Sequence, residues 1–222
     1  MRRHDLVWLQ ATATYTTPCA EPGSAAWLAL DQWLAAGRPL VAARQSAVAT
    51  PVQLGLSLPL ARGRQRLSIL VEASQISEVR PPLNVRQCLA GLPAASASIL
   101  SALAERIEAS GARLGIYGSL AWETLSGEAY RHAASDIDLI CDVADLAQYA
   151  MVLDALRQAV ADFPGRLDGE LRLPDGQAVA WQEILMLGKA SDKSVLVKGE
   201  RDVAVQPLSG WLAGLPPLML AA

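Results

Sequence analysis

Apolar and polar positions in this chain alternate with period two over several short runs and with helical period over longer ones. Residues 4–10 (HDLVWLQ) read as a strand, with Leu6 and Trp8 on one face and Val7 and Leu9 on the other. After a loop rich in Pro and Gly, Ser24 is placed to cap a helix. Its apolar positions Trp27, Leu30, Trp33 and Leu34 recur at helical spacing until Gly37. Residues 38–45, 52–58 and 66–73 alternate as strands, so the first part of the chain predicts a small α+β unit whose tryptophans are core. Arg62, Arg64 and Arg66 surround Gly63 and read as the charged turn of a hairpin, with Arg44 adding to the local positive charge.

Residues 80–83 (RPPL) are stiff and extended, and Gly91-Leu92-Pro93 punctuates again. The expected boundary falls here, giving an N-terminal domain over 1–85 and a second domain over 86–222. From residue 94 an amphipathic helix carries Ile99, Leu100, Leu103 and Ile107 on one stripe and closes at Gly111. A strand (112–117), a helix (119–126), a strand (134–142) and a helix (145–161) follow. Two strands, 165–173 and 177–187, are then joined through Pro174-Asp175-Gly176, a strong hairpin signal. Short β-like runs occupy 194–205, and the apolar end of the chain, PLSGWLAGLPPLMLAA, is expected to pack on the body or on a partner. The fold class is α+β, with a mixed sheet flanked by helices in the second domain.

Composition narrows the function classes. The chain has 222 residues, 52% of them hydrophobic, with a formal net charge of −3 and a pI near 5.4. That balance argues against a protein held to nucleic acid by a broad basic surface. No apolar run approaches the roughly 20 residues that span a bilayer, and the first residues do not form a signal peptide, so a cytoplasmic protein is expected. Cys19, Cys88 and Cys141 form no CxxC pair and read as reduced, mostly buried thiols.

Residues 115–142, GIYGSLAWETLSGEAYRHAASDIDLICD, hold the candidate chemistry. Asp136 and Asp138 are one residue apart, and carboxylates at i and i+2 of a strand share a face. Such neighbours repel unless something positive sits between them. Gly118-Ser119 turns a strand into a helix and offers free N–H groups and a positive dipole end to a phosphate. Asp168 and Glu170 repeat the i, i+2 spacing. These residues together suggest a metal–triphosphate site. The plainer alternatives are strand-end turn residues for Asp136 and Asp138, a helix cap for Ser119, and a solvent face for Asp168 and Glu170. His132 reads equally as a polar loop residue, Lys198 as a strand end, and Trp122 and Trp181 as core aromatics.

The ordered set Gly118-Ser119, Asp136-Ile137-Asp138 and Asp168 or Glu170 resembles the nucleotidyltransferase superfamily of the DNA polymerase β type. Sixteen residues, 120–135, separate Ser119 from Asp136, more than is common there. Along nearly the whole chain, HDLVWL, GRPLVAAR, RPPL, YGSLAWETLSG, YRHAASDIDLI, DGELRLPDGQAVAWQE and VLVK are similar to a narrower family. It is that of malonate decarboxylase holo-acyl-carrier-protein synthases, or phosphoribosyl-dephospho-CoA transferases. The resemblance implies transfer of the prosthetic group from 2′-(5-triphosphoribosyl)-3′-dephospho-CoA to a serine of the malonate decarboxylase carrier subunit, with loss of pyrophosphate. It implies Mg²⁺, as a two-ion site, on Asp136, Asp138 and Asp168, and Asp168 or Glu170 as the acceptor of the serine proton. Gly118 and Ser119 would hold pyrophosphate, and Arg131, His132 and Lys198 would contact the triphosphate. The N-terminal domain, with Arg80 and Arg86, would hold the dephospho-CoA or the carrier. The competing readings are an ATP-dependent nucleotidyltransferase acting on a small molecule and an inactive nucleotide-binding relative.

Overall fold

The computed structural model describes residues 1–46, 50–188 and 193–216, and the chain divides into two units. Unit 1 comprises Met1–Pro82 together with Trp122–Arg131; unit 2 comprises Leu83–Ala121 and His132–Ala222.

Unit 1 is built on β1 (Leu6–Leu9), α1 (Ala25–Ala35), β2 (Leu40–Ala42), β3 (Val52–Ser57), β4 (Arg66–Val71) and β5 (Ile76–Arg80). The strands form one sheet in the order β4-β3-β2-β1-β5, with every pairing antiparallel. Ser24 caps α1 by accepting from the Trp27 N–H at 3.2 Å. Val7, Leu30, Trp33, Leu40, Leu54 and Ile69 are buried in the core, joined by Trp122 and Tyr130 from the second segment. Each such side chain contributes about 1.5–3 kcal/mol through burial. Gly63 and Arg64 turn the chain between β3 and β4 in left-handed conformations, φ 71° and 55°. Strand β5 is absent from the sequence reading: its residues, ISEVR, are almost all exposed at a sheet edge and carry charge, so they show no apolar face.

Unit 2 runs β6 (Leu83–Asn84), α2 (Val85–Cys88), α3 (Ala94–Ala109), β7 (Arg113–Tyr117) and the start of α4 (Gly118–Ser126). It resumes with β8 (Ile137–Asp142), α5 (Leu146–Asp162), β9 (Leu167–Arg172), β10 (Ala178–Ala180) and α6 (Trp181–Leu187). It continues through β11 (Ser194–Lys198), β12 (Val203–Pro207) and α7 (Leu208–Leu212). The sheet order is β12-β11-β10-β9-β8-β7-β6. Strands β8 and β9 are parallel, linked through α5, and the other pairings are antiparallel. Both units are thus α+β, and the second has a mixed sheet.

Register separates the faces of this sheet. Leu114, Ile116, Leu139, Cys141, Leu171 and Val179 share one side and are all buried. Asp138, Asp142, Asp168, Glu170, Arg172 and Lys198 share the other. The polar residues of the motif strands are therefore gathered by alternation alone.

Two elements differ most from their expected extents, and a short helix, α2, joins those expected. Strand β8 begins at Ile137 rather than 134, because residues 132–135 close a turn. In that turn the Ser135 N–H donates to the His132 carbonyl at 2.9 Å and the His132 N–H to Ser135 Oγ at 3.0 Å. The expected strand 177–187 ends at Ala180, and the rest is α6, where Trp181 and Ile184 are buried at i, i+3. Helix α2 is short, fixed by a capping box of Asn84 and Gln87. Cys88 and Cys141 are buried, whereas Cys19 is exposed. In the apolar end of the chain Leu208 and Trp211 are buried, while 217–222 lie outside the described residues. Among the described residues no helix is long and apolar enough to cross a membrane.

Candidate active site

The turn from β7 into α4 is set against the carboxylate of Asp138. Tyr117 pairs with Asp138 across the antiparallel ladder, and Gly118 follows with φ 69°. A Cβ on Gly118 would stand 1.9 Å from Asp138 Oδ2 and 2.7 Å from its Cγ. Only glycine leaves room for the carboxylate at the opening of α4, and only glycine takes that backbone conformation without strain. Ser119 is the next residue, half-buried in the first turn of α4.

Asp168 enters from β9, directly in register with Asp138 on β8. Its Oδ1 accepts from the Gly169 N–H at 2.6 Å. Gly169 makes the approach possible, since a Cβ there would stand 1.8 Å from the carbonyl oxygen of Leu139. Asp136 immediately precedes β8. Its Oδ2 lies 2.7 Å from Arg166 Nη2, and the same nitrogen lies 3.6 Å from Asp168 Oδ2. Arg166 thus supplies the positive charge between two of the acids. Sequence reading missed it, although Arg166, Asp168 and Glu170 sit at successive i, i+2 positions, a pattern open to inspection.

Glu170 occupies a different environment from Asp168. It is 3% exposed, and its Oε1 accepts from Lys198 Nζ at 2.8 Å. Lys198 neutralises a buried acid here, a cost otherwise severe in an apolar setting. Farther along the same face, Arg172 is 1% exposed and forks onto Asp142, with Nε–Oδ1 at 2.6 Å and Nη2–Oδ2 at 3.0 Å. This pair also escaped the sequence reading.

The remaining sequence candidates have partners of their own. His132 is exposed in the turn before Asp136, and its Nδ1 accepts from the Ala134 N–H at 3.2 Å. Arg131 belongs to unit 1, where its Nε lies 2.5 Å from Glu123 Oε2. Glu123 Oε1 accepts the N–H groups of Tyr130 and Arg131 at 2.9 and 2.8 Å. Burial raises the Glu123 carboxyl, but those backbone donors and the Arg131 guanidinium outweigh it and hold its pKa below the ordinary value.

Unit 1 also contains a cleft of about 490 Å³, lined by Trp8, Tyr15, Asp31, Leu34 and Arg38 among others. The Tyr15 hydroxyl donates to Asp31 there. Of the two arginines at the unit boundary in sequence, Arg80 pairs with Glu78 at 2.6 Å and stacks 4.9 Å over Trp8. Arg86 pairs with Glu108 at 2.7 Å.

Among the described residues no group of three or more His, Cys, Asp or Glu side chains is gathered as a metal cage. The donor set is nevertheless one of hard carboxylate oxygens, two of which already share a cation in Arg166. That composition suits Mg²⁺, which is commonly held by one or two carboxylates plus substrate phosphates rather than by an all-protein cage.

Comparison with known proteins gives a consistent result. The family model described as the phosphoribosyl-dephospho-CoA transferase MdcG N-terminal domain matches residues 2–82, and that of the C-terminal domain matches 83–208. A phosphoribosyl-dephospho-CoA transferase of Xanthomonas axonopodis pv. citri is 36% identical over 209 residues, covering 92% of this chain and 93% of the relative. One from Xanthomonas campestris pv. campestris is 38% identical over 185 residues, 82% of this chain and 84% of its own. One from Bradyrhizobium diazoefficiens is 31% identical over 218 residues, 96% and 92% of the two chains. No solved structure matches the chain significantly.

Proposed function

The chain belongs to the phosphoribosyl-dephospho-CoA transferase family, and from that premise we propose a specific group transfer. The donor is 2′-(5-triphosphoribosyl)-3′-dephospho-CoA, and the acceptor is a serine hydroxyl of the malonate decarboxylase carrier subunit, in the cytoplasm. The serine oxygen bonds to the phosphorus nearest the ribose, the bond from that phosphorus to the next phosphate breaks, and pyrophosphate leaves.

The observation that supports this chemistry most directly is Asp138 seated against Gly118 with Asp168 beside it in register. Acids and a helix opening share one small region, as phosphoryl-type transfer requires: its catalysis rests on positioning and charge neutralisation. Ser119 and the backbone N–H groups at the opening of α4 hold the departing pyrophosphate. Asp136, Asp138 and Asp168 would hold Mg²⁺, which supplies charge neutralisation to the triphosphate and its leaving group. Asp168 takes the serine proton, because it is partly open whereas Glu170 is buried against Lys198. Lys198 accordingly acts through Glu170, and His132, exposed in the turn that precedes Asp136, remains a candidate for a triphosphate contact. Arg131 is engaged by Glu123, so a triphosphate contact from it would come at the expense of that ion pair. The cleft of unit 1, aromatic along Trp8 and Tyr15, has a size suited to part of the dephospho-CoA.

The test incubates the protein with the donor, Mg²⁺ and the apo-carrier subunit. Intact-mass analysis is expected to show one phosphoribosyl-dephospho-CoA adduct on the carrier, abolished by chelator. An unmodified carrier with active components, or full labelling in chelator, overturns the reading.

A further inference from the structure

Arg166 contacts two of the acids, and neither the motif nor the family comparison assigns it. It lies in a short exposed turn just before β9, and its side chain is 71% exposed. Nothing in packing requires it to fold back onto the site. It does so because two carboxylates, Asp136 at 2.7 Å and Asp168 at 3.6 Å, face each other there. One nitrogen of the guanidinium serves both contacts. Two other acids on this face have their own cations: Glu170 has Lys198, and Asp142 has Arg172.

The three cations differ in freedom. Arg172 is buried and bidentate, and Lys198 is tied to the buried Glu170, so neither can leave without stranding a buried charge. Arg166 can leave, since its ion pairs are solvent-exposed and individually weak. Its guanidinium also has the planar fork that matches phosphate oxygens.

Resting on the transfer reading above, we propose that Arg166 is an exchangeable counter-cation. It spaces Asp136 and Asp168 correctly until a metal–triphosphate arrives, then yields the carboxylates to the metal and passes its guanidinium to the triphosphate. It competes with the metal for the free protein and cooperates with it once the donor is bound. Arg166 is on this view a phosphate-binding residue as well as a positioning one.

The two roles predict opposite effects of one substitution. In Arg166→Ala, Mn²⁺ affinity measured by electron paramagnetic resonance without donor is expected to rise about two- to five-fold, the size of an exposed ion pair that no longer competes. Pyrophosphate affinity measured calorimetrically with Mn²⁺ present is expected to fall about ten-fold, as for loss of a charged hydrogen bond. Arg166→Lys should restore the Mn²⁺ affinity of the parent but only part of the pyrophosphate affinity. Because the side chain is exposed, both variants should keep the parent's circular dichroism and melting temperature. Unchanged or weaker Mn²⁺ binding in Arg166→Ala, or unchanged pyrophosphate binding, overturns the proposal. A parent protein that labels the carrier while failing either arm sinks only this inference. A parent that binds no Mn²⁺ and labels nothing removes the transfer reading as well.

Discussion

Gly118 carries a constraint that its neighbours inherit. Its φ of 69° costs an L-residue about 1–2 kcal/mol, and the space its Cβ would need is taken by the Asp138 carboxylate. Gly118→Ala must therefore move either the opening of α4 or the acid. Transfer is expected to fall at least about 100-fold while urea denaturation shows a loss of only about 1–3 kcal/mol. Asp138→Asn should lose activity as severely with almost no loss of stability. Near-normal turnover in Gly118→Ala would separate Gly118 from the chemistry and leave it a turn residue. Gly169 is constrained on the neighbouring strand in the same way, by the backbone of Leu139 rather than by a side chain.

At the scale of elements, helix α4 and the return to residue 131 are joined by one carboxylate. Glu123 accepts from the backbone of Tyr130 and Arg131 and pairs with the Arg131 guanidinium, and its pKa lies below the ordinary 4.5. A depressed carboxylate adds stability that is complete above its unfolded value and is lost as pH falls through the lower folded value. The parent should exceed Glu123→Gln by about 1 kcal/mol at neutral pH. That gap should hold down to about pH 4.5 and close below it, as read by urea melts across pH. A gap that widens on acidification would contradict the assignment.

The strands and helices near the site were readable because their periodicity is clean: α3, β7, β9 and the Asp175-Gly176 hairpin follow from apolar spacing and turn residues. Strand β5 was not, since an exposed edge has no apolar face to betray it, and α6 was not, since Trp181 and Ile184 suit strand or helix in so short a run. Within the site, the motif named Gly118, Ser119, Asp136, Asp138 and either Asp168 or Glu170. Arg166 carries no motif, and the Glu170–Lys198 and Asp142–Arg172 pairs depend on cross-strand register, which a single sequence does not display.

At the scale of the whole molecule, the irregular spacing between Ser119 and Asp136 acquires a physical reason. Most of that insert, Trp122–Arg131, belongs to unit 1, although the rest of unit 1 ends at Pro82. Trp122 meets Trp33 edge-on at 5.4 Å and stacks with Tyr130 at 6.4 Å, and both are buried in the core of unit 1. The Leu60 N–H donates to the Ala129 carbonyl at 2.9 Å, and Arg38 donates to the Ser126 carbonyl at 3.2 Å. The division at residues 82 and 83, where the two family models meet, is therefore not a division between independent folding pieces. A fragment of residues 1–82 lacks two large core aromatics, each worth about 1.5–3 kcal/mol of burial. That deficit is comparable with the whole stability of a small domain, about 5–15 kcal/mol. The fragment is expected to lack a cooperative urea transition and to bind a hydrophobic dye, while the intact chain does neither. Linking a 122–131 segment to its C-terminus through a flexible spacer should recover part of the transition. A fragment 1–82 that melts cooperatively at the midpoint of the intact chain would show instead that the insert rests on unit 1 without completing it. In that case the sixteen residues would need a reason other than the core.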